Sequence, residues 1–248
     1  MGGVINIITK DPVDKAGISA AVSVGNHGLQ RYALSLQSAL IPGKLYFGAA
    51  GLYEGSNGFY TNDFNNSHFD KQHRTGGNFY LKYLISPQWS VTLNAKALAN
   101  RDNGAFTLSS GIGDAFANPF HLDQNAVGQM VDNTFNGSLV VRYSGTHFNF
   151  SSQTAYQSNY RYYKDPVDGD FSPIDGVSII NNYGHDWNRV KTITQEFRLT
   201  SPAANRSPLK WTVGSYLFHQ AIPSKQGTHF GKAATMLGSP DVNYAVIN

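Results

Sequence analysis

The chain alternates apolar and polar residues over segments about as long as a membrane-crossing β-strand, and it shows almost no helical periodicity. Around Leu93, for example, apolar residues alternate with Thr92 and Asn94. The pattern recurs in residues 18–24, 32–40, 45–53, 78–85, 89–97, 135–143, 148–157, 190–201 and 209–220. It predicts an all-β fold of about nine strands, each with one apolar face.

The connections between these segments fall into two length classes. Short turns rich in Pro, Gly or Ser are predicted at residues 41–44, 86–88, 144–146 and 201–208, and long polar connections at residues 59–73, 104–132 and 165–188. Short turns at one rim and long loops at the other are typical of an outer-membrane barrel. We therefore predict an antiparallel transmembrane β-barrel with periplasmic turns and extracellular loops, in the outer membrane of a Gram-negative bacterium.

Charged residues interrupt the predicted strands in mid-segment. They are Lys82, Lys96, Arg142, Glu196 and Arg198. A Lys or Arg facing lipid at mid-depth costs about 2 to 4 kcal/mol, so we expect these side chains to face the barrel lumen. Aromatic residues near the strand ends, in contrast, suit the two membrane interfaces; they are Tyr53, Trp89, Tyr143, Tyr160, Tyr162 and Trp211. The alternative is a soluble sandwich whose core these rings fill.

Composition narrows the functional classes. Of 248 residues only 14% are charged, and the net charge of +3 is too small for a nucleic-acid-binding surface. The longest nearly uninterrupted apolar run, Leu45–Tyr53, is far shorter than a membrane-spanning helix requires. The chain contains no Cys and none of the common hydrolase, metalloprotease or nucleotide-binding motifs. We expect no enzyme activity, no cofactor and no nucleic-acid partner.

Three motifs point to a known family. The segment Gly2–Lys10, followed by Asp11 and Pro12, resembles the last plug strand of TonB-dependent outer-membrane receptors. Residues 195–202 and 209–216 resemble a hairpin of the siderophore-type members, and residues 53–58 resemble the end of a third barrel strand. Together with the rhythm of strands and loops, the resemblance covers nearly the whole chain.

The resemblance implies energy-coupled import of a scarce ligand through a 22-stranded barrel that contains a plug. It assigns residues 1–12 to the end of the plug and its linker, and residues 13–248 to the N-terminal part of the barrel. The TonB box and most of the plug would lie outside this fragment, and we expect both of its ends to be truncations. The implied partners are a ferric siderophore or similar small ligand, TonB through the plug, and outer-membrane lipid with lipopolysaccharide.

The loop of residues 59–74 is the candidate ligand-binding segment. Its candidate contacts are Phe59, Tyr60, Phe64, His68, Phe69 and Arg74. Aromatic rings could stack on a catechol or heteroaromatic ligand, and the guanidinium could bind an anionic chelate. An ordinary solvated loop is the alternative. We expect no metal ligand here, because His68 and His73 do not have a zinc spacing.

The connection of residues 165–186 contains five Asp residues, Asp165, Asp168, Asp170, Asp175 and Asp186. Their spacing is not that of a Ca²⁺-binding loop, so the sequence favours a solvated acidic loop.

Three other functions stay open at the level of sequence. A passive porin or adhesion barrel would have the same strand pattern, and receptors of the same family import haem, vitamin B12, nickel or glycans with one scaffold. A secreted sugar-binding sandwich is a further alternative.

Overall fold

Nine long strands form one antiparallel sheet in the computed structural model, which describes residues 14–104, 109, 111–172, 174–202, 208–238 and 244–247. They are β1 Gly17–Gly25, β2 Leu29–Ile41, β3 Leu45–Ser56, β4 Gln72–Leu84, β5 Trp89–Asn103, β6 Gln129–Ser144, β7 Asn149–Tyr163, β8 Arg189–Thr200 and β9 Thr212–Ala221. Each strand pairs with the next along the chain, so the sheet is an uninterrupted meander. The predicted all-β architecture of nine strands is confirmed.

The register separates the charged and the apolar side chains. Lys96 lies opposite Asn78 on β4 and Asn136 on β6, whereas Leu93 lies opposite Leu81 and Leu139. Because residues opposite each other share a face and neighbours along a strand do not, Lys96 and Leu93 lie on opposite faces. The same holds farther along the sheet. Arg142 shares the polar face with Ser151 and Arg198, while Val141 and Leu199 lie on the apolar face.

Most of the apolar face is exposed, although Val131 and Tyr160 on this face are buried near the long-loop rim. Ile18 has 81% of its surface exposed, Val24 has 74% and Leu34 has 53%. An exposed apolar face of this extent is unfavourable in water and favourable against hydrocarbon. In the part of the chain that the structure describes, the aromatic side chains do not form the dry core that a soluble sandwich requires. The apolar face is called the outward face below, and the polar face the inward face.

Aromatic contacts lie at both rims of the outward face. Near the short turns, the Trp89 and Tyr143 ring centroids are 4.9 Å apart, and Phe148 follows at 5.3 Å from Tyr143. Near the long loops, Tyr32 stacks on Tyr53 at 6.1 Å. These rings occupy the positions predicted for interfacial girdles.

The first three short turns confirm the predicted reversal chemistry, whereas residues 203–207 of the fourth predicted turn lie outside the described residues. At the first of them Lys44 N–H donates to the carbonyl of Ile41 at 3.0 Å, and Gly43 takes φ of 66°. The opposite rim has one short turn, between β1 and β2, where His27 and Gly28 both have positive φ. The other three hairpins at that rim are joined by residues 57–71, 104–128 and 164–188.

The long connections contain structure that the sequence did not predict. A three-stranded sheet joins Thr61–Asn62, Ser67–His68 and His121–Leu122, and a four-stranded sheet joins Val167–Asp168, Val177–Ile180, Gln226–Phe230 and Tyr244–Ile247. Helix α1, Ile112–Ala117, lies in the second long loop, and a 3₁₀ helix covers Ala234–Leu237. The long loops therefore contain secondary structure of their own and are not simply irregular, solvated connections.

The segment Gly2–Lys10, which carries the plug resemblance, lies outside the described residues. In the part of the chain that is described, no helix has the length and apolar content needed to cross a membrane.

Candidate ligand-binding surface at the long-loop rim

Three long connections meet at one rim of the sheet, and they are called loop A (residues 57–71), loop B (104–128) and loop C (164–188). Loops A and B share a parallel ladder in which Thr61 pairs with His121 and Asn62 with Leu122. The flanking backbone bonds run from Thr61 N–H to the Phe120 carbonyl at 2.9 Å and from Asp63 N–H to the Leu122 carbonyl at 2.8 Å. The two loops are thus joined into one body.

Buried amide side chains continue this connection. Asn62 is 0% exposed, donates through Nδ2 to the Gln124 carbonyl at 2.7 Å, and accepts from Gln124 N–H at 3.0 Å. A primary amide that bonds both the N–H and the carbonyl of one residue replaces a missing strand neighbour. Gln124 Nε2 in turn donates to the Asp170 carbonyl in loop C at 3.3 Å. All three loops are therefore linked through one buried polar chain.

Two acidic residues anchor loop C from inside. Asp168 accepts hydrogen bonds from Asn125 N–H at 3.1 Å and Asp170 N–H at 3.0 Å, and Asp170 accepts from Gly176 N–H and Val177 N–H. They are 3% and 6% exposed, respectively. Burial raises the pKa of the Asp168 carboxyl above its usual value, although hydrogen bonds from backbone N–H groups oppose the shift. The prediction of a solvated acidic loop is wrong for these two residues, because their carboxylates cap backbone donors.

A carboxylate also shapes the start of loop A. Asp70 accepts hydrogen bonds from Phe59 N–H at 2.9 and 3.0 Å and from Tyr60 N–H at 2.8 Å. Gly58 makes this approach possible, since its φ is 81° and a Cβ there would lie 2.2 Å from an Asp70 oxygen. The Gly58–Asp70 contact sets the backbone that presents Phe59 and Tyr60.

The predicted contact residues fall into three groups. Phe59 and Phe64 are 61% and 56% exposed, and His68 is also exposed. Tyr60 is half-buried, and its ring makes an edge contact with Phe120 of loop B at 5.7 Å. Phe69 is only 1% exposed, and a Cβ on Gly104 would lie 2.6 Å from its ring, so Phe69 packs beneath the loop.

Arg74, the remaining predicted contact, lies on the inward face of β4. Its Nη1 is 3.4 Å from Glu54, which also approaches Arg31 at 3.8 Å. Two guanidinium groups share the Glu54 carboxylate, and Asp102 on β5 also interacts electrostatically with Arg74, so the cluster has no net formal charge. It lies on the inward face just below loop A, where the Arg74 guanidinium is placed to donate hydrogen bonds to an anionic group.

Loop B supplies aromatic surface that the sequence-based selection omitted. Phe116 and Phe120 are 82% and 56% exposed. Phe120 is brought to loop A by the parallel ladder, which joins segments far apart in the sequence. In the sequence, the only signal for Phe116 and Phe120 as candidate contacts is that a long polar connection contains several Phe residues.

A polar pocket of about 300 Å³ opens between the loops. Its lining includes Asp63, Asp114, His121 and Asp123, and His121 Nδ1 lies 2.9 Å from Asp63. Among the described residues, no group of three or more His, Cys, Asp or Glu side chains is placed to hold a metal ion. The acidic lining would favour a neutral or cationic group over a bare anion.

The concave inward face forms a larger groove of about 670 Å³. It is lined by Asn78, Lys82, Lys96, Arg142 and Gln157, among others. Neither Lys96 nor Arg142 forms an ion pair with any side chain in the described ranges. The face is suited to water or to a polar body with accessible carboxylates or carbonyls.

Comparison with solved structures identifies the fold. The chain superposes on the ferric yersiniabactin uptake receptor FyuA from Yersinia pestis with a TM-score of 0.71 and 17% identity, covering 92% of the chain and 34% of FyuA. The ferric-catecholate import receptor Fiu from E. coli K12 gives a TM-score of 0.60 at 13% identity, with 90% of the chain and 33% of Fiu covered. The siderophore receptor PiuA from Acinetobacter baumannii gives 0.61 at 13%, with 90% and 32% covered. No protein-family model matches the chain.

These matches show that the chain has the fold of part of the β-barrels of these three receptors. The chain has the architecture of one contiguous part of such a barrel and spans about a third of the length of each receptor. At the level of fold, the resemblance to TonB-dependent receptors of the siderophore type is confirmed.

Proposed function

We propose that the chain is the N-terminal part of the barrel of a TonB-dependent outer-membrane receptor that imports a ferric siderophore. The observation that carries this proposal is the nine-stranded meander with an apolar outward face, a charged inward face and three long loops at one rim. Its superposition on FyuA over 92% of the chain supports the same function.

The division of the chain follows from the same proposal. Residues 1–12 form the last plug strand and linker, and residues 13–248 form the first barrel strands of an expected 22. Lys96 and Arg142 then face the plug, to which their unpaired charges offer hydrogen-bond donors. TonB acts on the plug from the periplasm, and the protein has no catalytic step.

The ligand contacts the aromatic surface shared by loops A and B. Phe59, Tyr60 and Phe64 supply ring faces, and His68 supplies an exposed polar edge. Arg74 offers guanidinium hydrogen-bond donors to the ligand from the inward face, where Glu54 and Asp102 hold it in place. A ferric chelate with aromatic or heteroaromatic groups and net negative charge suits this combination.

Uptake of labelled iron by the full-length protein tests the proposal. Cells that lack the gene should lose accumulation of iron from at least one catecholate, phenolate or hydroxamate chelate, and a protonophore should abolish accumulation in the wild type. Phe59→Ala combined with Phe64→Ala should weaken chelate binding by about tenfold. Phe148→Ala, at the opposite rim, is the matched control. Failure of every ferric chelate to bind would remove the iron assignment.

The alternatives give different outcomes in the same assay. A passive porin or adhesion barrel would show solute entry that a protonophore does not reduce, or no entry at all. A receptor for haem, vitamin B12 or glycans would keep energy dependence with a different cargo. Fractionation of the protein away from the outer membrane would contradict the membrane placement itself.

A further inference from the structure

Two grooves on the inward face join into one. The groove of about 670 Å³ reaches Arg142 near the short-turn rim, and a second groove of about 470 Å³ reaches Arg74 below loop A. Asn78 and Lys96 line both of them. The joined surface, called the wall groove below, therefore extends along strands β4 to β6 from the long-loop rim towards the short turns.

The bases of the wall groove lie at successive heights along the strands. Arg74, Lys96, Lys82 and Arg142 are level with residues 100, 96, 92 and 90 of β5, respectively. Two residues of a strand span about 7 Å and four span about 13 Å. One base therefore follows another at intervals of about 7 to 13 Å from one rim towards the other.

Acidic residues are confined to the long-loop end of the wall groove. On β4, β5 and β6 the only acids are Asp102 and Asp132, which lie at the height of Arg74 or closer to the long loops. Glu54 of β3 lies directly opposite Arg74. Towards the short turns, the same three strands carry bases and no Asp or Glu. The charge of the wall groove thus changes from balanced at its entrance to positive along its length.

Two large inward side chains lie along the wall and leave the groove open. Leu98 Cδ1 lies 2.7 Å from the position of a Cβ on Gly76, and a Tyr80 ring carbon lies 2.3 Å from that on Gly48. Each side chain covers a glycine directly opposite it on the neighbouring strand. A polar solute in the groove therefore meets the bases without having to displace these side chains.

We propose that the wall groove guides an anionic chelate from the loop rim towards the periplasm, with Lys96 and Arg142 as successive contacts for its negative groups. This inference rests on the proposed function, which supplies a cargo that must move between the two rims. Neither base forms an ion pair with a side chain in the described ranges, so each offers its charge to a passing anion. A contact of this kind in water strengthens an encounter only about fivefold, which favours release to the next base over retention.

The arrangement favours a moving small ligand over a fixed protein surface. The two parts of the groove, about 670 and 470 Å³, have the size of small-molecule sites. Charges of a single sign set no register for a fixed interface, but they suit successive positions of one anion.

An engineered thiol where the two grooves meet tests the charge preference without knowledge of the cargo. Asn78→Cys, in a full-length protein otherwise free of Cys, places the thiol opposite Lys96. In energised cells, an anionic sulfonate methanethiosulfonate should react there about fivefold faster than the trimethylammonium analogue, each rate being divided by that at Phe64→Cys in loop A. Lys96→Gln should abolish the preference. Arg198→Gln, which removes an inward base outside the lining, should keep it.

Import of a radiolabelled ferric tris-catecholate, an anionic complex, tests the cargo itself. Arg142→Gln should lower the maximal import rate about fivefold and leave the concentration for half-maximal binding at the cell surface unchanged. Arg198→Gln is the matched control, because Arg198 lies level with Arg142 on the same face but outside the wall groove. Its maximal import rate should equal that of the wild type.

Several outcomes would overturn the inference. These are equal reaction of the two reagents at Asn78→Cys, no reaction of either reagent there, or equal import by the Arg142→Gln and Arg198→Gln variants. Faster reaction of both reagents after Lys96→Gln would also overturn it, since Lys96 would then hold the plug in place. Failure of the wild type to import any ferric chelate would count against the proposed function, whereas normal wild-type import with one of these outcomes would count against the wall groove alone.

Discussion

The ring of Tyr80 lies over Gly48 on the neighbouring strand, so closely that a Cβ on Gly48 would be 2.3 Å from a ring carbon. The two residues lie directly opposite each other on the inward face. An aromatic side chain that covers a glycine on a paired strand recovers packing that the glycine lacks.

Substitution of Gly48 by Ala should therefore destabilise the barrel by about 1 to 3 kcal/mol, because the Tyr80 ring must leave its position. Urea-induced unfolding in lipid vesicles measures the change. Gly51→Ala on the same strand is the control, since the nearest atom to its Cβ is 4.0 Å away. Tyr80→Ala in the Gly48→Ala background should remove most of the additional cost.

A neighbouring pair on β5 tests the assignment of the two faces. Leu93 lies outward and Asn94 inward. Arg at position 93 should cost about 2 to 4 kcal/mol in a bilayer, whereas Arg at position 94 should cost much less because it meets water or the plug. The folded fraction can be read from gel mobility without heating. If Arg costs the same at both positions, the two faces do not differ in their contact with lipid, and the membrane interpretation is wrong.

The Asp70 carboxylate should control the order of loop A. Asp70→Ala leaves the Phe59 and Tyr60 N–H groups without their acceptor, at a cost of about 2 kcal/mol to the local fold. Trypsin should then cleave after Lys71 faster than in the wild type. Asp63→Ala removes the same charge from an exposed pair with His121 and should change cleavage little. If both variants are cleaved alike, the capping role of Asp70 is refuted.

Loop C should respond to pH in the direction set by Asp168. Burial raises the pKa of its carboxyl in the folded loop. Its favourable contribution is therefore complete below the ordinary carboxyl pKa and is lost as pH rises through the raised value. Acidification from about pH 7 towards pH 4 should stabilise loop C rather than open it.

Fluorescence of Trp187 reports this response if the other tryptophans of the full-length protein, Trp89 and Trp211 among them, are replaced by Phe. The midpoint of urea unfolding for this signal should rise on acidification, and Asp168→Asn should flatten the dependence. A midpoint that falls on acidification in the wild type but not in Asp168→Asn would contradict the assignment.

The strands were predictable because one physical pattern repeats in each of them. Leu93 and Lys96 could be assigned to opposite faces from alternation alone, since the side-chain period of a strand is two. The length contrast between turns and loops then identified the two rims. Neither inference required contacts between residues distant in the sequence.

The loop structure could not be predicted in the same way. Asn62 and Gln124 look like solvated polar residues in the sequence, yet each is almost fully buried, and the Asn62 amide bonds the backbone N–H and carbonyl of Gln124. Asp168 likewise looks solvated in the sequence, because its donors, the Asn125 and Asp170 N–H groups, reach its carboxylate only when the loops fold. Two-residue ladders carry no periodicity that a sequence pattern could reveal. The role of the predicted contacts Phe59, Tyr60, Phe64, His68, Phe69 and Arg74 stays a prediction.

The short ladder between Thr61–Asn62 and His121–Leu122 joins the tips of two hairpins, so that they move as one unit. A ligand that displaces one tip must displace the other as well, or break the backbone hydrogen bonds between them. Arrival of a small molecule against the rings of the first tip would thus be transmitted to the second without touching it.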